Sequence, residues 1–291
     1  MEAIIQKAKV LIEALPYIQR FRGEIVVVKF GGSAMEEAEQ TDSVLSDITF
    51  MECVGMRPVV VHGGGKAISR RMQKEGVETE FRHGIRITCK KTVDVVDNVL
   101  NEEINPGIVK GLTRHGARAK GLRGQDVFSV KRKQGVDADT GEKLDWGLVG
   151  VPEEVEVGEV DRLVKADVIP VISPLGIGSD GNVHNINADT AAGAIASALR
   201  AAKLVFLTDV PGLLRDPKDE SSIISSLGMD EVDSLRGEGI IDGGMLPKVE
   251  SGVGAMHAGV GKVHMIDGSM PHSLLLEIFT VKGVGTQIVM E

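Results

Sequence analysis

The sequence is poor in aromatic residues, in cysteine and in net positive charge, and each shortage excludes something. Only 3% of its 291 residues are aromatic, so Val, Ile, Leu, Ala and Gly must do the packing. That mix suits parallel strands buried on both faces beneath helices. The two cysteines, Cys53 and Cys89, form no CxxC pair and no Cys/His cluster. Neither a disulfide framework nor a structural zinc is expected from them, and the expected compartment is a reducing cytoplasm. No uninterrupted apolar run reaches membrane-spanning length. Glu2, Lys7, Lys9 and Glu13 break up the partly apolar N-terminus, so no secretory leader is expected either. With 33 basic against 42 acidic residues the net charge is −9, which argues against non-specific nucleic-acid binding. An anionic substrate would have to be met by local cations.

What is present has a rhythm. Residues 2–15 carry Ile4, Ile5, Ala8, Leu11, Ile12 and Leu15 at helical spacing, and Pro16 then kinks or ends the helix. This element precedes every strand candidate, which leaves two readings open: packing on its own domain, or service at an interface. Strands are predicted at Glu24–Phe30, Pro58–His62, Asp167–Ser173, Lys203–Asp209, Lys262–Asp267 and Gly285–Met290. Helical patterns lie at about 37–54, 66–76, 93–114, 159–166, 188–201, 244–259 and 273–279. The alternation predicts an α/β fold with a mostly parallel sheet and helices on both faces. Residues 126–157 interrupt it and read as a β-hairpin excursion. Gly178–Asn182 reads as a tight turn between short strands.

Three glycine-rich turns follow strand candidates: Lys29-Phe-Gly-Gly-Ser33, His62-Gly-Gly-Gly-Lys66 and Gly176–Gly181. Glycine lets backbone N–H groups approach an anion, and a helix that starts after the turn adds oriented dipoles. The first two turns lead into helical patterns. The familiar nucleotide signatures fail, however. Gly65-Lys66 is followed by Ala67 and preceded at the first P-loop position by Val60. Gly176-Ile-Gly-Ser-Asp-Gly181 has dinucleotide spacing, but an extended stretch follows it where a helix is needed. There is no H-E-x-x-H, no G-x-S-x-G and no protein-kinase catalytic loop.

Phosphoryl transfer is mostly positioning and charge neutralisation, by lysines, backbone N–H groups and a metal. A carboxylate acceptor is already ionised at neutral pH and needs no general base. Lys29 ends an apolar strand just before Gly31 and Gly32. Lys248 follows Asp242-Gly-Gly-Met-Leu-Pro247, and Asp189 opens an Ala-rich helix where it could orient both ammonium groups. Several neighbours have plain structural alternatives. Asp209 could be a turn residue, Asn185 could pin a turn, and Arg86 could pair with a surface carboxylate. His62 shapes its turn in preference to carrying protons, and Trp146 packs the hairpin.

Taken in order, Lys-Phe-Gly-Gly-Ser, His-Gly-Gly-Gly, Asn-Ile-Asn-Ala-Asp-Thr-Ala-Ala, Leu-Thr-Asp-Val-Pro-Gly-Leu and Gly-Gly-Met-x-x-Lys resemble the amino acid kinase family over about residues 22–291. The resemblance implies a three-layer αβα sandwich around a mainly parallel, eight-stranded sheet. It implies an acceptor-binding and dimerising lobe at 22–199, an ATP-binding lobe at 200–291, and a kinked N-terminal helix for oligomerisation at 1–21. Lys29, Lys248 and Asp189 would be catalytic. Gly31, Gly32, Thr208, Asp209, Val210 and Met245 would meet the nucleotide, with Mg2+ travelling with ATP and no protein metal site. Gly64, Gly65, Arg86 and Asn185 would hold the acceptor, and Arg86 with Asn185 favours N-acetyl-L-glutamate. A kinase for carrier-linked aminoadipate or glutamate, and a silent sensor of acetylglutamate or arginine, stay as alternatives. The intact lysine pair argues against the sensor. Arginine-inhibited members resemble this chain in their N-terminal helix, which interlaces dimers into a hexamer, a trimer of dimers. Tyr17, Lys203, His264, Glu277, Gly283 and Gly285 fall where those members bind L-arginine. Neither a nucleic-acid nor a membrane partner is expected.

Overall fold

The structure, a computed structural model, describes residues 2–82, 84–136, 143–280 and 283–290. Eight strands form one sheet in the order Ser226–Gly228, Thr286–Val289, Lys262–Asp267, Lys203–Thr208, Ile25–Phe30, Arg57–His62, Ile169–Ile172, Ala119–Leu122. All pairings are parallel except that of Lys262–Asp267 with Thr286–Val289. The two halves of the chain meet along the central pair, where Val26 to Lys29 stand beside Lys203 to Phe206.

The three layers follow from the period-2 alternation of buried strands. On one face Val27, Val59, Val61, Leu204, Phe206 and Val263 pack against helices Ala188–Ala198 and Leu246–His257. On the other, Val26, Val28, Phe30, Val60, Val205 and Leu207 pack against helices Ala38–Cys53, Asn105–Arg114 and Ser273–Phe279. Full burial of one such side chain contributes about 1.5–3 kcal/mol, so this doubly covered sheet is the main source of stability. A third apolar cluster, with Ile68, Met72, Val96 and Leu100, underlies the helices beside the second glycine turn.

The hairpin excursion is Phe128–Val136 against Lys143–Val155, and its tip, 137–142, lies outside the described residues. It closes a small barrel with Leu175–Gly178 and Val183–Ile186. Because Gly176–Gly181 therefore joins two antiparallel strands, no helix follows it and it makes no dinucleotide turn. Trp146 is buried in the hairpin and donates its indole N–H to Arg82 O at 3.2 Å.

Four elements differ from expectation. The N-terminal helix runs on through Pro16 to Phe21, at the cost of one backbone donor. The predicted helix over 93–114 is Lys90–Asn98, a π turn over Val99–Ile104, then Asn105–Arg114. Edge strands Ala119–Leu122 and Ser226–Gly228 escape a pattern search, being short and without β-branched residues.

Candidate active site

Alternation along Ile25–Phe30 puts Lys29 on the same face as Val27, toward helix Ala188–Ala198. That helix starts at Asn187, whose side chain accepts from Asp189 N at 2.8 Å and Thr190 N at 3.2 Å. Asp189 is thereby fixed in the first turn, facing the strand end. Lys29 Nζ lies 3.1 Å from Asp189 Oδ1, as an ion pair off the hydrogen-bond axis. Lys248, near the start of Leu246–His257, donates to Asp189 Oδ2 at 3.0 Å and to Gly244 O at 3.1 Å. Burial pushes the Asp189 carboxyl up, but Lys29 and Lys248 more than offset that and hold it below its ordinary range. Two ammonium groups on one carboxylate leave one positive charge unbalanced in a nearly dry setting.

Two cavities open beside this triad. One, of about 280 Å³, is lined by Lys29, Gly32, Thr208, Asp209, Val210, Met245 and Lys248. The other, of about 320 Å³, is lined by Gly32, Gly64 and Gly65 with Glu36, Lys66 and Arg70. Gly32 borders both. Its φ of +72° is in the left-handed region, and a Cβ there would come within 2.3 Å of Asp209 Oδ1. Asp209 accepts the Ser33 N–H in a short hydrogen bond. Burial pushes the Asp209 carboxyl up, and the Ser33 N–H, with Lys66 and Lys29 nearby, outweighs this and keeps it low. Gly31 lines neither cavity but lies beneath Lys29, where a Cβ would stand 2.7 Å from Nζ.

Arg86 is buried one layer behind the second cavity. It donates to Gly65 O at 3.0 Å and to Ser69 Oγ at 2.8 Å, and its guanidinium lies 4.6 Å from the Phe81 ring centroid. Among the described residues no carboxylate pairs with it, so the surface ion-pair alternative finds no support. Burial pulls its pKa down. The Asn185 side chain has no hydrogen-bond partner among the described residues, and its backbone pairs with Leu175 and Val149.

A third cavity, of about 320 Å³, is lined by all six residues matched to the arginine site: Tyr17, Lys203, His264, Glu277, Gly283 and Gly285. A buried relay crosses it. Lys203 Nζ donates to His264 Nε2 at 3.0 Å, and His264 Nδ1 donates to Glu277 Oε1 at 2.6 Å. Glu277 Oε2 accepts from Val284 N at 2.7 Å. Burial lowers Lys203 to about 8, with Lys262 adding to the effect.

Sequence reasoning missed the second cavity's own charges. Lys66 and Arg70 stand one helical turn apart directly after His62-Gly-Gly-Gly65, a spacing that aims both at one face. Arg70 pairs with Glu36 in a short contact. Asp242 and Gly244, beside Lys248, line the first cavity.

Residues 24–267 match the amino acid kinase family. The acetylglutamate kinase of Heliobacterium modesticaldum is 48% identical over 289 residues, covering 98% of each chain. That of Desulfitobacterium hafniense is 47% identical over 97% of this chain and 96% of its own. Among solved structures, N-acetylglutamate synthase from Neisseria gonorrhoeae superposes with a TM-score of 0.85 at 24% identity. That likeness, of the fold alone, covers 98% of this chain and 63% of the synthase. On the family match and these full-length relatives, the chain belongs to the amino acid kinase family.

Proposed function

We propose that the chain is an acetylglutamate kinase, transferring the γ-phosphoryl group of ATP to the side-chain carboxylate of N-acetyl-L-glutamate in arginine biosynthesis. The observation that carries this reading is the pair of ammonium groups, buried Lys29 and half-buried Lys248, clamped on buried Asp189 beside two cavities. The acceptor carboxylate attacks phosphorus, the bond to the β-phosphate oxygen breaks, and an acyl phosphate and ADP leave. No proton has to be moved, which suits a site built from lysines and glycines. Lys29 and Lys248 neutralise the equatorial oxygens, Asp189 keeps them aligned, and Gly31, Gly32 and Gly64 offer N–H groups. Thr208, Asp209, Val210 and Met245 hold the nucleotide in the first cavity. Gly64 and Gly65 receive the acceptor in the second, Arg86, on turning from Gly65 O and Ser69 Oγ, grips its α-carboxylate with a planar fork, and Asn185 bonds its acetylated amide.

In this reading residues 22–199 form the acceptor lobe and 200–291 the nucleotide lobe. Mg2+ would travel with ATP and help to neutralise the phosphate charge. The third cavity takes L-arginine as an inhibitor, Glu277 facing its guanidinium and Lys203 its carboxylate. Residues 1–21 join copies of the chain into a hexamer. No helix of the described residues is long and apolar enough to cross a membrane.

A panel of acetylglutamate, glutamate, aspartate, carbamate and a carrier-bound aminoadipate, each with ATP and magnesium, tests the assignment through ADP release and acyl phosphate capture. Acetylglutamate should lead in kcat/KM. Preference for the carrier-bound acceptor would replace the substrate, and binding without turnover would make the chain a sensor.

A further inference from the structure

His62 closes the strand Arg57–His62 and opens the turn through Gly63, Gly64 and Gly65, yet its ring lines neither active-site cavity and is fully buried. Its Nδ1 lies 2.9 Å from Gly63 O, and its Nε2 lies 3.2 Å from Asn105 Nδ2. A carbonyl oxygen only accepts, so Nδ1 carries the proton and donates to Gly63 O. Asn105 Nδ2 also lies 2.9 Å from Val171 O, again a pure acceptor, which fixes the amide's orientation and turns its other N–H on Nε2. Both ends of the ring thus demand one neutral tautomer. Burial, which lowers the His62 pKa to about 4, agrees with it.

The consequence appears at the turn. In a planar trans peptide the carbonyl and the following N–H point in opposite directions, and no peptide here is cis. With Gly63 O drawn back onto its own imidazole, the Gly64 N–H is sent away from the ring. Gly64 lines the acceptor cavity, and its N–H has no acceptor among the described residues. Leu100 and Ile104 wedge the turn from behind, at 2.7 and 2.6 Å from where a Gly64 Cβ would stand. Both come from the π turn Val99–Ile104, which runs directly into Asn105.

We infer that His62, locked by Asn105, is a positioning residue that aims the Gly64 N–H at an oxygen of the transferring phosphoryl group. It touches no substrate and exchanges no proton. The inference rests on the kinase reading above.

Two substitutions in the full chain separate positioning from packing. Phe fills the ring's volume without a donor, whereas the Asn amide nitrogen falls near the place of Nδ1 and keeps a donor for Gly63 O. His62→Phe should lower kcat about 10- to 100-fold with the KM for ATP within about two-fold. His62→Asn should melt lower, because it leaves a cavity, yet keep kcat within about three-fold of the parent. A kcat that follows melting temperature, with Asn the worse variant, or a Phe variant at parental kcat, would overturn the inference. NMR of 15N-labelled histidine gives a readout free of turnover. The signal missing from His62→Asn should show a protonated Nδ1 and a bare Nε2 at neutral pH, and the opposite tautomer would also overturn it. If the parent prefers another acceptor, the substrate assignment fails, while the same ratios measured with that acceptor still decide the role of His62.

Discussion

Asp189 separates two like charges that would otherwise repel each other, so each lysine's place depends on one carboxylate. On the proposed transfer, replacing Lys29 or Lys248 by Ala removes half of the charge offered to the phosphoryl oxygens. By comparison with other preorganised donors, kcat should fall roughly 10²–10⁴-fold, about 2.7–5.4 kcal/mol, with the circular dichroism spectrum unchanged. A variant with near-parental kcat would remove that lysine from the transition state. A second prediction concerns pH. The His62 pKa falls from 6.5 in the unfolded chain to about 4 in the fold. Above the higher value both states are neutral; below it only the unfolded chain takes up the proton. Stability should therefore drop as pH falls from 6.5 toward 4, by roughly 3 kcal/mol at about 1.4 kcal/mol per unit. Urea titrations of parent and His62→Asn across that window should show a steeper drop in the parent, since His264 and the lowered carboxylates titrate in both; equal slopes would assign the titration elsewhere. These residues differ in how readable they were. Lys29 and Lys248 alone look like solvated charges, and it is the ordered motifs around them and Asp189 that singled them out. Lys66 and Arg70 did not stand out, since a basic residue on a helix face looks like any solvated charge.

Strands and helices were legible wherever burial was two-sided. Ile25–Phe30 and Lys203–Thr208, near-continuous apolar runs, were expected within a residue of their bounds. Ala119–Leu122 was invisible because it is short, lacks β-branched residues and leaves Lys120 and Gly121 exposed at the sheet edge. The π turn was invisible too, because one extra residue per turn barely disturbs a helical stripe, yet it carries Leu100 and Ile104 to the second glycine turn. The two glycine turns were legible as turns between strand and helix, but their demand on conformation was not. Gly32, at φ +72° and with the Asp209 carboxylate in the way of any Cβ, makes that demand testable. Gly32→Ala adds backbone strain of about 1–3 kcal/mol and displaces Asp209 from the Ser33 N–H. It should raise the KM for ATP about ten-fold or more while lowering the melting temperature by a few degrees. A variant with an unchanged KM for ATP would mean that the turn has no part in holding the nucleotide.

At the scale of the whole molecule, the N-terminal helix does not fit a single compact chain. Its last turns are anchored: Tyr17 meets Phe279 edge-on at 6.4 Å between ring centroids, and Lys203 lies over Phe21. Its earlier turns are not. Leu11 and Ile12 are 67% and 68% exposed, and Ile5, Val10 and Leu15 are exposed beside them; the Ile4 side chain lies outside what is described. Each such side chain, once fully buried, would contribute about 1.5–3 kcal/mol, so five exposed together leave a large driving force unused. The sequence carried the stripe, but one chain cannot show what covers it. A second copy of the same helix is self-complementary in chemistry, and a symmetric pairing would bury both stripes at once. Such a helix precedes the whole sheet, so its removal should spare the lysine triad. The third cavity, in contrast, takes Tyr17 and Arg20 from the helix's end and would lose a wall. If the chain assembles and is inhibited as proposed, deleting residues 1–20 should convert the hexamer into an active dimer and abolish inhibition by arginine. Light scattering reads the first half and an arginine titration of ADP release reads the second. A truncated chain that stays hexameric would make the helix ordinary packing. One that disassembles but remains inhibited at the parental arginine concentration would move the effector away from the Tyr17 cavity and leave the assembly role standing.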